Sequence, residues 1–310
     1  MTLLLIALLA GPCVYWTAGL ESRATLEAAG IRHICVAAGQ VEQWRAAGFD
    51  VTTLTDAERQ AREQLLVPGI GQRAGVASPT RAPWINANGW RFIRTPAAKY
   101  SYNLPVGKGA LAAAEAYVYG GDAVLEIDSE DLASVGAMQT FLRGLPPAEL
   151  PPLADLAIVD DGAAATGEVM NLLTRRNLLF QVVSAPSAQF PITIRIGSPE
   201  YPAQDAADPS AFALKVRRQL TDERRRLRIF GTEVVIGRLT GNGSQVRLHL
   251  LNYGGRDVEG LRVRVRGSYR TGEAHVAGAG RVALQDVVAA DGAIEFTVPK
   301  IAAYAVVDLR

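Results

Sequence analysis

The run Asp122-Ala123-Val124-Leu125-Glu126-Ile127-Asp128 carries the most suggestive carboxylates in the chain. Side chains alternate across a strand, so Ala123, Leu125 and Ile127 share one face, and Val124, Glu126 and Asp128 share the other. In a parallel α/β barrel the first face packs on helices and the second points inward. Glu126 and Asp128 then sit at the carboxyl end of the strand, where barrel active sites lie. Residues two apart on a strand are about 6.5–7 Å apart, within the roughly 5–9.5 Å separations used by paired carboxylates in glycoside hydrolysis. One would act as general acid/base and the other as nucleophile or water activator. Asp160, or its neighbour Asp161, ends LAIVDD at the equivalent place and is a candidate partner from a facing strand. A second reading stays open for all of these residues. Asp128-Ser129-Glu130-Asp131 is also a natural helix start, and Asp160-Asp161-Gly162 a cap or turn.

Aromatic residues supply the second signal. Trp84, Trp90, Phe92, Tyr100 and Tyr102 lie within 20 of the 310 residues, although the chain has only 21 aromatics. Asn86, Asn88, Arg91, Arg94, Lys99 and Asn103 are interleaved with them. Sugars present apolar C–H faces rimmed by hydroxyls, and aromatic faces beside amides and guanidinium groups suit both parts. Trp84, Asn86, Trp90, Arg91, Tyr100 and Tyr102 are therefore candidate substrate-binding residues, with Trp16 at the end of the first strand. The alternative is a large loop held down by its own aromatics.

Other chemistries find little support. GxSxG and HExxH are absent, and His33, His249 and His275 lie too far apart in sequence for metal-ligand spacing. His249 alternates with Leu248 and Leu250, which places it on a solvated sheet face. The amides of Val106-Gly107-Lys108-Gly109 could meet an anion or simply open a helix. No cofactor and no metal is called for. Cys13 and Cys35 allow one disulfide or two buried thiols.

These residues need elements to hold them. From residue 13 to about 200, short apolar runs (CVYW, HICVAA, FDVTTL, DAVLEID, LAIVDD, FQVV, ITIRI) alternate with amphipathic stretches. Such alternation predicts a mainly parallel sheet, as a barrel or an open doubly wound sheet. The proline-rich stretch 69–106 breaks the rhythm as an irregular insertion. A helix is expected around 209–221, and then only strands with Gly-rich turns, which read as a small antiparallel β-sandwich. The expected organisation is a segment 1–12, an α/β barrel-like domain over 13–222 and the sandwich over 229–310, with a charged junction TDERRRLR between them.

Charge is partitioned although the net charge is only +1. Residues 215–281 carry fifteen Lys or Arg against six Asp or Glu, and residues 122–168 carry ten acids against Arg143. Arg262, Arg264 and Arg266 alternate with Leu261, Val263 and Val265, as on one solvated sheet face. Without aromatic interleaving, nucleic acid is not an expected partner. Self-association between the acidic and basic regions is an alternative use. Residues 1–20 carry no charge, and MTLLLIALLA resembles the core of a secretory signal while being too short to span a bilayer. The expected location is periplasmic or extracellular, with no stable membrane span.

A barrel-like α/β domain followed by a sandwich that closes in EFTVP…YAVVDL resembles bacterial glycoside-hydrolase-like proteins. The resemblance implies a TIM-barrel hydrolase or carbohydrate-binding protein, with a carbohydrate ligand and with Glu126, Asp128 and Asp160 as the catalytic candidates. Roughly 190 residues is short for an eight-fold barrel of about 250. An incomplete barrel acting as a non-catalytic binding or assembly module is therefore the alternative.

Overall fold

The computed structural model describes residues 11–71, 83–148 and 150–310. The signal-like residues 1–10 and the middle of the proline-rich stretch lie outside the described residues. In chain order the elements are β1 (Cys13–Tyr15), α1 (Arg23–Ala29), β2 (His33–Val36), α2 (Val41–Ala46), β3 (Asp50–Thr53), α3 (Asp56–Gln60), β4 (Glu63–Gln64), β5 (Gly69–Ile70), β6 (Ile85–Asn86), α4 (Gly89–Arg94), β7 (Lys99–Asn103), α5 (Gly109–Tyr119), β8 (Asp122–Glu126) and α6 (Leu132–Gly144). They continue with β9 (Leu156–Val159), α7 (Ala164–Arg175), β10 (Phe180–Val183), β11 (Thr193–Ile194) and α8 (Pro209–Leu220). Nine strands follow: β12 (Leu227–Ile229), β13 (Val235–Gly241), β14 (Val246–Asn252), β15 (Val258–Arg266), β16 (Gly272–Val276), β17 (Gly280–Val282), β18 (Gln285–Ala290), β19 (Ala293–Ile301) and β20 (Tyr304–Leu309). The chain divides into two compact units, one of Met1–Val67 with Thr95–Leu145, the other of Pro68–Arg94 with Pro146–Arg310.

The first unit holds a six-stranded parallel sheet in the order β3-β2-β1-β8-β7-β4. The steps β1→β2→β3 and β4→β7→β8 advance across the sheet in the same direction. On one face of the sheet α1 packs on α6, which packs on α5. The step β3→β4 crosses from one edge of the sheet to the other. Among the described residues β3 and β4 do not pair with each other, and no barrel closes.

Register sorts the side chains. Val14 pairs with Ile34 and Leu125, and Tyr102 pairs with Leu125. This set faces the helices, where the Tyr102 hydroxyl donates to Glu115 of α5 at 2.6 Å. Cys13, Tyr15, Cys35, Val124, Glu126, Ser101 and Asn103 have the opposite parity and share the other face. On that face Cys13 and Cys35 form a disulfide between β1 and β2, with Cα atoms 5.6 Å apart. The two cysteines pack with Leu54, Val124 and Tyr15. Lys99–Asn103, expected to be irregular, is an internal strand of this sheet because its Tyr100 and Tyr102 are core residues, 1% and 0% exposed.

The second unit centres β9 between β10 and β11, all parallel. Leu156, Ile158, Val169, Leu173, Phe212 and Trp90 lie in its core. The strands that follow form two antiparallel sheets, β12-β15-β19-β18 and β13-β14-β20-β16-β17. Leu248, Leu250 and Val307 from one sheet and Val263, Val265 and Phe296 from the other fill a common core. Leu261, Val263 and Val265 are buried while Arg262 and Arg264 are half-exposed and Arg266 is exposed, as the alternation requires. The junction expected near 222–230 is pinned within this unit. Asn177 adopts a left-handed φ of 54°. Its side-chain amide mimics a strand, donating to the Val235 carbonyl at 3.1 Å and accepting the Gly237 amide at 2.7 Å. Arg225 donates to the carbonyls of Arg176 and Asn177, and both Asp155 oxygens accept the Arg226 amide.

Candidate functional site

The carboxyl edge of the six-stranded sheet gathers the polar groups of the first unit. Thr55 and Glu58 form a reciprocal capping box that fixes the start of α3 directly after β3. Arg59 lies one position further on. Its Nη1 meets Glu126 Oε1 at 3.2 Å, and its guanidinium carbon lies 5.2 Å from the centre of the Tyr15 ring. Arg59 and Glu126 are about equally exposed, at 30% and 29%. Asn103 is the register partner of Glu126 and is exposed. Trp16 continues from Tyr15, half-buried, with its Nε1 donating to the Ser22 hydroxyl at 2.8 Å. The sequence reading singled out Glu126 and Trp16 and named Asn103 beside the aromatics, but missed Tyr15 and Arg59. The Thr-x-x-Glu capping signature at 55–58 was the one local signal pointing to Arg59.

Asp128 is exposed and accepts the Glu130 amide at 2.9 Å as the cap of the turn before α6. Its neighbour Asp131 is 3% exposed and answers the question left by Val106-Gly107-Lys108-Gly109. The amides of Gly107, Lys108 and Gly109 donate to the Asp131 carboxylate at 2.8, 3.2 and 2.9 Å. The amino end of α5 does cradle an anion, and that anion is the chain's own side chain.

Asp160 belongs to the other unit. Arg94 grips it through two parallel bonds, Nε to Oδ2 at 2.9 Å and Nη2 to Oδ1 at 2.8 Å. That hydrogen-bonded guanidinium holds Asp160 below the usual carboxylate range. Asp161 accepts the Thr166 hydroxyl and the Ala163 amide, and the hydroxyl bond likewise lowers its pKa. A general acid needs a carboxyl that keeps its proton near neutral pH, which is the reverse of both cases.

The aromatic cluster is divided between the units. Tyr100 and Tyr102 lie in the first unit, buried among helices and strands, and offer no ring face to a sugar. This corrects the expectation of a binding surface there. Trp90 is 8% exposed in the core of the second unit. Gly167 of α7 backs it so closely that a Cβ at that position would lie 3.0 Å from the ring. The Arg91 guanidinium carbon sits 4.4 Å from the centre of the Trp90 ring, and that of Arg175 lies 3.7 Å from the centre of the half-buried Trp84 ring. Asn86 is half-buried on β6. His249 is also corrected. It is 7% exposed, bonded through Nδ1 to the Tyr304 hydroxyl at 2.8 Å, and burial lowers its pKa to about 3. Among the described residues no group of His, Cys, Asp and Glu is placed to hold a metal, and no helix is long and apolar enough to cross a membrane.

No family model matches the chain, and no curated protein matches it. Solved structures do. An alpha-L-fucosidase isoenzyme 2 from Paenibacillus thiaminolyticus superposes with a TM-score of 0.55 at 9% identity, covering 94% of this chain and 79% of that one. The fold is glycoside-hydrolase-like. A beta-galactosidase from Bacillus circulans sp. alkalophilus is similar at a TM-score of 0.42 and 8% identity, covering 89% of this chain. A rhamnosidase from Novosphingobium sp. PP1Y has a TM-score of 0.42 and 9% identity, covering 68% of this chain. This chain spans 63% of the galactosidase and 31% of the rhamnosidase. At such identities the likeness concerns fold alone.

Proposed function

We propose that the protein is an exported carbohydrate-binding protein built on an incomplete glycoside-hydrolase-like barrel, and that it does not cleave its ligand. The observation that carries this reading is the commitment of every candidate carboxylate. Glu126 is paired with Arg59, Asp128 caps a turn, and Asp160 is locked by Arg94. Asp160, held below the usual carboxylate range by that guanidinium, is a poor proton donor for glycosidic cleavage. The carboxyl edge of the six-stranded sheet suits a sugar instead. Tyr15 offers a ring for C–H faces, while Asn103, Arg59 and Glu126 offer hydroxyl partners of both senses. The Cys13–Cys35 disulfide suits an oxidising compartment outside the cytoplasm.

The test is a glycan array, followed by calorimetry and a sugar-release assay on each hit. We expect saturable binding with no released sugar. Tyr15→Ala and Asn103→Ala should each weaken binding about tenfold, the value of one lost net hydrogen bond or stacking contact of roughly 1–1.5 kcal/mol. Turnover that Glu126→Gln abolishes would overturn the non-catalytic reading. Silence across the array would overturn the carbohydrate reading.

A further inference from the structure

The Arg59–Glu126 pair has an uncommon position for a structural ion pair. It lies at the carboxyl edge of a parallel sheet, on the face opposite α1, α5 and α6, neither buried nor fully solvated. Its surroundings leave it only partly satisfied. Arg59 Nε is shielded from solvent without a hydrogen bond, and the Asp56 carboxylate approaches it only to 3.8 Å. Tyr15 supports the guanidinium from one side, and Asn103 stands exposed beside the carboxylate. The pair presents a donor and an acceptor 3.2 Å apart. Two adjacent ring hydroxyls span a similar distance, and each can donate to the carboxylate while accepting from the guanidinium.

We infer that the Arg59–Glu126 pair is the selectivity element of the site and restricts it to neutral sugars bearing adjacent hydroxyls, excluding acidic ones. The inference rests on the carbohydrate reading above and goes beyond it by naming the ligand's charge class. The physical reason is compensation. Glu126 already neutralises Arg59, so a sugar carboxylate must either meet Glu126 as a like charge or displace it and leave it unpaired in a partly dry site. Removing the Glu126 charge frees a guanidinium whose planar fork matches a carboxylate. Glu126→Gln should therefore reverse the preference rather than only weaken binding.

Titration calorimetry with two matched pairs tests this: methyl glucoside against methyl glucuronide, and methyl galactoside against methyl galacturonide. Members of a pair differ in charge at one carbon. The wild-type protein should bind the better neutral member at least tenfold more tightly than its acidic counterpart. Glu126→Gln should tighten the acidic member at least tenfold, and added salt should erase that gain. Arg59→Gln should lose the neutral ligand and gain no acidic one. Wild-type and variants should share a circular-dichroism spectrum, and an Arg59→Lys variant, which keeps the charge, serves where Arg59→Gln does not fold. Binding with a neutral-to-acidic ratio unchanged by Glu126→Gln would overturn this inference while leaving the carbohydrate reading intact. Failure of all four sugars to bind any variant, together with a silent array, would overturn both.

Discussion

His249 and Asp155 are buried groups whose titrations oppose each other, and their balance can be measured. His249 lies on β14 between the charges of Arg238 and Arg247, and burial is the main cause of its pKa of about 3 against an ordinary 6.5. Its folded pKa is depressed, so its contribution is complete above pH 6.5 and is lost as pH falls toward 3. By pH 4.5 that loss is about 3 kcal/mol. Asp155 behaves in the opposite sense. Burial raises it to about 6 from 3.8, against the lowering effect of the Arg226 amide and nearby arginines. The folded state then holds the proton more tightly than the unfolded chain, so stability rises as pH falls through 6 toward 4. The gain by pH 4.5 is about 2 kcal/mol. The two nearly cancel in the wild-type protein. Asp155→Asn should expose the histidine, with stability falling about 2 kcal/mol further than wild-type between pH 7.5 and 4.5. His249→Gln should remove the loss, and the variant should fare about 3 kcal/mol better than wild-type over the same interval. Groups common to all three proteins, including the similarly depressed His33, drop out of the comparison. Urea denaturation at the two pH values reads the free energies by linear extrapolation. If both variants follow the wild-type pH slope within 0.5 kcal/mol, an allowance of the order of extrapolation error, neither group titrates as its burial requires.

The disulfide and one helix contact give two further expectations. Cys13 and Cys35 are 22 residues apart, and a loop of that size confines the unfolded chain by about 3 kcal/mol. A Cys13→Ala/Cys35→Ala double variant should show a correspondingly lower urea midpoint, and equal midpoints would argue against a bridge in the native protein. Gly136 of α6 lies against the backbone of Ala29, and a Cβ there would fall inside the contact distance of the Ala29 carbonyl oxygen. Gly136→Ala should therefore cost about 1–3 kcal/mol through displacement of α1, despite the better helix propensity of alanine. A thermal midpoint that rises in Gly136→Ala would refute that packing.

Local periodicity determined much of the fold. The apolar runs at 13–16, 33–38, 49–54, 122–128 and 156–161 became β1, β2, β3, β8 and β9, because a strand needs only a few β-favouring residues in succession. The arginine alternation at 262–266 likewise fixed which residues point inward, since period two acts within one strand. Asp128 and Asp161 capped turns as their neighbours suggested, because capping reaches only two or three residues along the chain. What depended on pairing across the chain was decided only in tertiary structure. Tyr102 and Glu126 each alternate legibly within their own strands, yet only the register of β7 on β8 turns one toward the helices and the other away. Arg59 finds Glu126 67 residues downstream, and Asp160 finds Arg94 66 residues upstream. No local pattern records those partners. His249 shows the same limit from the other side. Its alternation with leucines gave the correct parity, but every residue of β14 is buried. Alternation tells which residues share a face, and only long-range packing decides whether that face meets water.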